Sequence, residues 1–254
     1  MKVYDLPKET IESSQWRDPL LRHLTDKVLG LLDVPAGRVL DVGCGAGRVS
    51  IALARRGFQV DALDIASDVV EQARQLADRF GVRVNFSSGD FTQKDPGFPD
   101  ASYDVAVCSE VLEHVGPWKE ILANIARILK PGGLLLLTTP NDPKQFSVLD
   151  EYAGHVRRFR WEELASGLSR FDVLEAFTVG FPITRAIHWT YTHVALPLFF
   201  RSRHRPDDMW RPGSLYERLG AEAFYRLAKF DDLFNSWKLG TTWIVKARRL
   251  ADVP

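Results

Sequence analysis

With two cysteines in 254 residues, Cys44 and Cys108, the chain lacks the material of a disulfide scaffold. Both fall in segments read below as strand or turn, where a small buried filler is the expected role. Neither sign of charge is in excess. Thirty-three Lys and Arg face 33 Asp and Glu, which argues against a general attraction to polyanions. The aromatic-rich stretch Phe177 to Phe200 is interrupted by Pro182, Arg185, His188, His193 and Pro197. It therefore lacks the run of about twenty uncharged apolar residues that a membrane span needs. Met1 to Ile11 shows no basic start followed by an apolar core, so no signal peptide is expected and the cytoplasm is the expected location. Repeats and low-complexity linkers are absent too. What remains is ordinary globular material, 45% hydrophobic and 26% charged, long enough for one enlarged domain or a domain with one sizeable insertion.

Against that background one stretch stands out, Val39-Leu40-Asp41-Val42-Gly43-Cys44-Gly45-Ala46-Gly47. An apolar pair leads into an acid, three glycines follow at alternate positions, and Arg48 to Ala54 has helical periodicity. This predicts a buried strand, a tight turn and a helix whose first N–H groups face a ligand. Glycine there permits positive φ and lets a ligand lie against bare backbone. A dinucleotide fingerprint G-x-G-x-x-G counted from Gly43 would need glycine at position 48, which is Arg48.

The glycines fall instead as G-x-G-x-G behind an acid. In this the chain resembles the class I methyltransferases that use S-adenosylmethionine (SAM), whose successive motifs appear in order from Arg38 to about Leu168. The resemblance implies that Asp41, Gly43, Cys44, Gly45 and Gly47 hold the methionine end of the cofactor. Asp64, about twenty residues past the turn at the end of a second strand, suits a ribose diol, with Ile65 beside it. By the same resemblance Asp90 accepts the adenine amino group, Phe91 packs near the ring, and Ser109 closes the cofactor contacts.

Read along the chain, Pro19–Leu32 is a helix, Arg38–Asp41 strand one and Gly47–Arg56 a helix. Phe58–Leu63 is strand two, and Ser67 caps a helix reaching to about Phe80. Val82–Phe86 and Tyr103–Cys108 are strands three and four, with a helix over Trp118–Leu129. Pro131-Gly132-Gly133 predicts a turn before strand five, Leu134–Thr138. Trp161–Leu168 is a short helix, Phe171–Val179 strand six, and Thr241–Ala247 a last strand antiparallel beside it. The expected fold is α/β, a doubly wound, mostly parallel seven-stranded sheet with a largely helical insertion before the last strand. Its parts are a helical segment over 1–37, a cofactor-binding core over 38–179, an aromatic-rich insertion over 180–240 and a final strand over 241–248.

Strand four runs into Glu110-Val111-Leu112-Glu113-His114. On one helical turn the i, i+3, i+4 spacing puts Glu110, Glu113 and His114 on one face. Two carboxylates and an imidazole can hold Mg²⁺ or another divalent ion. This E-x-x-E-H pattern resembles the O-methyltransferases of ubiquinone biosynthesis and the small-RNA 3′-terminal 2′-O-methyltransferases. In the latter a later histidine completes the metal site, and His155 within Gly154-His155-Val156-Arg157-Arg158-Phe159 stands where that ligand is placed. On another reading Glu113 and His114 only brace the loop and cap the helix; without a metal, His155 or His114 is the general base, with Glu110 in support.

The insertion, followed by Arg201-Ser202-Arg203-His204-Arg205, reads as a lid over a greasy or aromatic substrate or as a dimer face. An apolar-aromatic stretch followed by a basic one is also how a peripheral membrane contact reads. The expected function is O-methylation of a small apolar or aromatic hydroxyl compound, with a divalent metal as an open addition. The alternatives are methylation of a terminal RNA ribose, with Arg157, Arg158 and Arg160 on phosphates, a lipid- or glycan-pathway methyltransferase at the membrane surface, and a non-catalytic SAM-binding module. Balanced charge weighs against nucleic acid as a partner.

Overall fold

Strands apolar on both faces alternate with amphipathic helices, and the computed structural model, which describes residues 18–195 and 221–251, joins the strands in one sheet. In chain order the elements are α1 (Pro19–Gly30), β1 (Arg38–Val42), α2 (Arg48–Arg55), β2 (Gln59–Asp64), α3 (Ser67–Arg79), β3 (Asn85–Ser88) and β4 (Tyr103–Ser109). They continue with α4 (Trp118–Ile128), β5 (Leu129–Pro140), α5 (Val148–Ala153), α6 (Trp161–Ala165), β6 (Phe171–Val179), α7 (Ile183–Thr190), α8 (Ala221–Asp231) and β7 (Thr242–Arg249). The sheet order is β3-β2-β1-β4-β5-β7-β6. β1 to β5 run parallel, and β7 lies antiparallel between β5 and β6. This is the doubly wound, mostly parallel sheet that the sequence predicts.

The period-two alternation of the central strands builds a core on each face. Leu40, Val42, Ala106, Cys108, Leu135 and Leu137 pack with Trp118, Ile121, Leu122 and Ile125 of α4. Val39, Val105, Val107, Leu134 and Leu136 pack with Val28 and Leu29 of α1 and with Val49 and Leu53 of α2. Each fully buried leucine contributes about 2 kcal/mol of transfer free energy, so the frame is set at the centre of the sheet. The strand order reverses between β1 and β4, and the carboxyl ends of these strands are the place where such sheets bind ligands.

Four local readings are corrected. Ser67 does not cap α3; the cap is Ala66, because the Asp64 carboxylate already holds the Ala66 N–H at 3.0 Å. β3 starts at Asn85 rather than Val82, whose N–H still belongs to α3 through the Ala77 carbonyl at 3.0 Å. Pro131 to Gly133 does not precede β5 but lies within it as an irregularity, since Leu129 already pairs with Tyr103. Most consequentially, Glu110 is not on a helix. Its φ of 58° turns the chain sharply after β4, and only Leu112–His114 forms a single 3₁₀ turn. The described part of the insertion is helical, comprising α7, a π turn over Tyr191–Ala195, α8 and a 3₁₀ turn over Asp232–Trp237. The basic run Arg201 to Arg205, with Phe199 and Phe200, lies outside the described residues. Among the described residues no helix is long and apolar enough to cross a membrane.

Candidate active site

The glycine turn sits at the carboxyl end of β1 with Gly43, Gly45 and Gly47 at φ of 72°, 51° and 79°. A Cβ on Gly43 would stand 2.4 Å from Cγ2 of Val111, so the turn and the loop after β4 lie against each other. Two acids hold the turn. Asp64 accepts the Gly45 N–H at 2.8 Å through one oxygen and the Ala66 N–H through the other, which fixes β2 to the turn. Each carboxylate oxygen keeps a second lone pair, so the same side chain still suits a ribose diol. Ile65 beside it is exposed. Asp41, 2% exposed, accepts the Ser50 hydroxyl at 2.5 Å. Burial pushes it up to about 6, and Asp64 adds to the rise, while the Ser50 bond and the Arg48 charge work the other way.

The adenine end is more enclosed than the sequence implies. Asp90 gives Oδ1 to the Thr92 N–H and hydroxyl at 2.9 and 2.7 Å, so an adenine amino group falls to Oδ2. Phe91 turns into the core 6.0 Å from the Phe98 ring, and forms wall rather than open surface. Cys44 and Cys108 are free thiols, both buried and both pushed up in pKa by that burial, which is the filler role expected. The Ser109 hydroxyl pairs with Thr138 at 2.9 Å.

At the reacting end three of the four expected ligands converge. One donor atom from each of Glu113, His114 and His155 lies within 4.8 Å of the others. The His114 and His155 rings meet edge to face at 4.8 Å. His155 faces the Asp150 carboxylate through Nδ1 at 2.8 Å, and His114 faces the Gly154 carbonyl through Nδ1 at 3.2 Å. Acceptors at both Nδ1 atoms assign the proton there and leave the lone pair on Nε2, the arrangement that orients histidine for a metal or a proton. His114 turns Nε2 to Glu113 Oε1 at 4.0 Å.

Glu113 is 0% exposed, and the Thr139 hydroxyl donates to its Oε2 at 2.9 Å. Its Oε1 accepts no hydrogen bond among the described residues. Burial, reinforced by the charge of Glu110, drives the Glu113 carboxyl well above the usual range. Burial and the neighbouring His155 also hold His114 down at about 4, so it is neutral near pH 7. An orphaned buried carboxyl oxygen grouped with the His114 and His155 rings fits a divalent cation.

Glu110 does not join this group. The φ of 58° sends its carboxylate to Thr138, which donates at 2.8 Å, and removes it from the face expected of a helix. The sequence reading also missed the support beneath His155. Asp150, 1% exposed, takes Arg158 through Nε at 2.7 Å and Nη2 at 3.0 Å as well as His155. Arg158 is thus buried in a pair and is not offered to phosphates. The only signal for this was Ser147 with Asp150 three residues on, a capping box opening α5. His188 of α7 is another omission: burial holds it down at about 4, and it feels the charges of Arg158 and Asp150 beneath His155.

Burial alone would raise Asp150, but the His155 and Arg158 hydrogen bonds outweigh it and hold the carboxyl well below its ordinary value. A depressed folded-state pKa stabilises above the unfolded value of about 4 and loses that contribution as pH falls through the depressed one. Asp150→Asn is therefore expected to cost about 3 kcal/mol at pH 7. Thermal melting should show the gap to the native chain narrowing below about pH 4.

A family model described as a methyltransferase domain matches residues 14–178. The ubiquinone biosynthesis O-methyltransferase of Xanthomonas campestris pv. campestris is 39% identical over 137 residues, 52% of this chain and 56% of that protein. That of Rickettsia conorii is 34% identical over 117 residues, 46% of this chain and 39% of the relative. The chain thus spans about half the length of the curated relatives it matches. Among solved structures, a SAM-dependent methyltransferase from Methanosarcina mazei superposes with a TM-score of 0.57 at 17% identity, covering 89% of this chain and 98% of its own. The cyclase SpnF superposes at 0.63 with 24% identity, covering 91% and 82%. These structures bear on the fold alone. With the glycine turn, the acid at the end of β2 and a family match over more than half its length, the chain belongs to the class I SAM-dependent methyltransferases.

Proposed function

We propose that the chain transfers the methyl group of SAM to a hydroxyl oxygen of a small apolar or aromatic acceptor, with a divalent cation held by Glu113, His114 and His155. The observation that carries this reading is the convergence of those three side chains within 4.8 Å, each histidine with Nδ1 facing an acceptor. The names of the curated relatives, which specify O-methylation in ubiquinone biosynthesis, support an oxygen nucleophile. An uncharged acceptor is favoured by the site's arginines, each already committed. Arg158 is paired with Asp150, Arg185 with Asp142, and Arg48 donates to the Leu21 carbonyl.

The glycine turn, Asp41 and Asp64 bind and orient SAM, which supplies a methyl group on a sulfonium that leaves readily. Bound at the cluster, a divalent cation would lower the pKa of the acceptor hydroxyl. His155 Nε2, oriented by Asp150 at Nδ1, would be a ligand of that cation; with no cation bound, the same Nε2 is placed to take the hydroxyl proton, and Asp150 stabilises the imidazolium that results.

A panel of catechols, simple phenols, sugars and RNA ends, each incubated with methyl-labelled SAM, tests the reading. Label is expected in an O-methyl ether of an apolar catechol. Label confined to RNA, or to nitrogen or carbon, would overturn it.

A further inference from the structure

Helix α1 starts at the glycine turn and ends away from it. Its Leu21 carbonyl accepts Arg48 beside the turn, and Gly30 lies about 13 Å further along the helix. There the last turns of α1, the end of α8 with the 3₁₀ turn behind it, and Phe177 of β6 surround a cavity of about 320 Å³. That is within the range of small-molecule sites.

One buried atom of its lining calls for an occupant. His23 is 1% exposed and turns Nε2 to the Asp232 carboxylate at 3.1 Å. Lys27 at 2.6 Å and Asn235 at 3.1 Å donate to the same carboxylate. In neutral His23 the proton therefore stands on Nε2, and Nδ1 keeps a bare lone pair. That Nδ1 is buried and has no hydrogen-bond partner among the described residues. A buried acceptor left in this way is costly, so it suits a donor brought in by a ligand.

The rest of the lining selects the ligand's chemistry. Two acids, Asp26 and Asp232, stand against two lysines, Lys27 and Lys229, so the cavity offers no net charge to an ion. Asp26 already accepts the Tyr225 hydroxyl, and the Lys229 ammonium lies over the Tyr225 ring at 4.6 Å. Phe177 and Leu31 supply an apolar wall. Hydroxyl groups match such a mixture, because each donates to an acid or to Nδ1 and accepts from an ammonium. A ring that carries them keeps a C–H face for the aromatic side.

We infer that the cavity between α1, α8 and β6 binds an uncharged polyol the size of a single sugar ring. One hydroxyl donates to His23 Nδ1, others meet Asp26 and Lys229, and the C–H face lies against Phe177. The site is separate from the glycine turn and from the Glu113, His114 and His155 cluster, and it stands independently of the methyl acceptor.

Titration calorimetry on the whole chain tests this, with glucose, galactose and mannose as probes and inorganic phosphate and benzoate as charged controls. Saturable binding of at least one of the sugars is expected, with a Kd of about 1 mM. His23→Gln keeps a donor for Asp232 but removes Nδ1, and should weaken that binding roughly tenfold with SAM affinity retained. Should His23→Gln alter thermal melting, Gly30→Met serves in its place. It narrows the cavity from a helical position where an added Cβ meets nothing within 4 Å, and should weaken the sugar by a similar factor. Three results overturn the proposal: no saturable binding of any of the sugars, equal binding by the variants, or phosphate or benzoate bound more tightly than the sugars.

Discussion

Replacing His155 with alanine is expected to lower kcat/KM for methyl transfer by roughly a hundredfold or more, with SAM affinity nearly unchanged. The expectation follows from where the ring stands. Its Nδ1 is held by Asp150, its face is pinned against His114, and its Nε2 belongs to the cluster with Glu113. Removing the ring takes away a cation ligand, or the base where no cation is bound, and strands the buried Asp150 with Arg158 alone. The cofactor side is expected to stay intact, because the proposed SAM contacts lie at the glycine turn and Asp64. Steady-state kinetics with calorimetry for SAM separates the two. An equal loss in kcat/KM and SAM affinity would mean that His155 braces the whole crevice instead.

Asp64→Ala is expected to weaken SAM binding by roughly a hundredfold, since a hydrogen bond to a charged group is worth about 1.5–3 kcal/mol and the site loses several. One carboxylate does two jobs here. In the proposed complex it accepts the ribose hydroxyls, and it already closes the turn by accepting the Gly45 and Ala66 N–H groups. Asp64→Asn keeps the shape but halves the accepting capacity, so its affinity should fall between the two. Titration calorimetry reads both variants. Unchanged affinity in Asp64→Ala would remove the diol from this end of β2.

The sheet was legible in the sequence because central strands buried on both faces must be apolar throughout, and the glycine turn because ligand and backbone have to meet there. Phe171–Val179 was read to the residue too, although it is the edge strand and only partly buried. Glu110 was misjudged because spacing arguments assume a regular element, whereas a single positive φ redirects the side chain to Thr138. The support beneath His155 escaped notice for a different reason. Asp150 and Arg158 act by pairing with each other and with His155, and a pair eight residues apart across an irregular loop leaves no periodic trace.

Incubating the chain with methyl-labelled SAM and an apolar catechol, before and after chelation and then with Mg²⁺ restored, reads donor, acceptor atom and cation together. The account predicts a labelled O-methyl ether whose formation falls at least roughly a hundredfold on chelation and returns with Mg²⁺. Turnover indifferent to chelator, with no metal bound to the purified chain, would contradict it and leave Glu113, His114 and His155 a structural cluster.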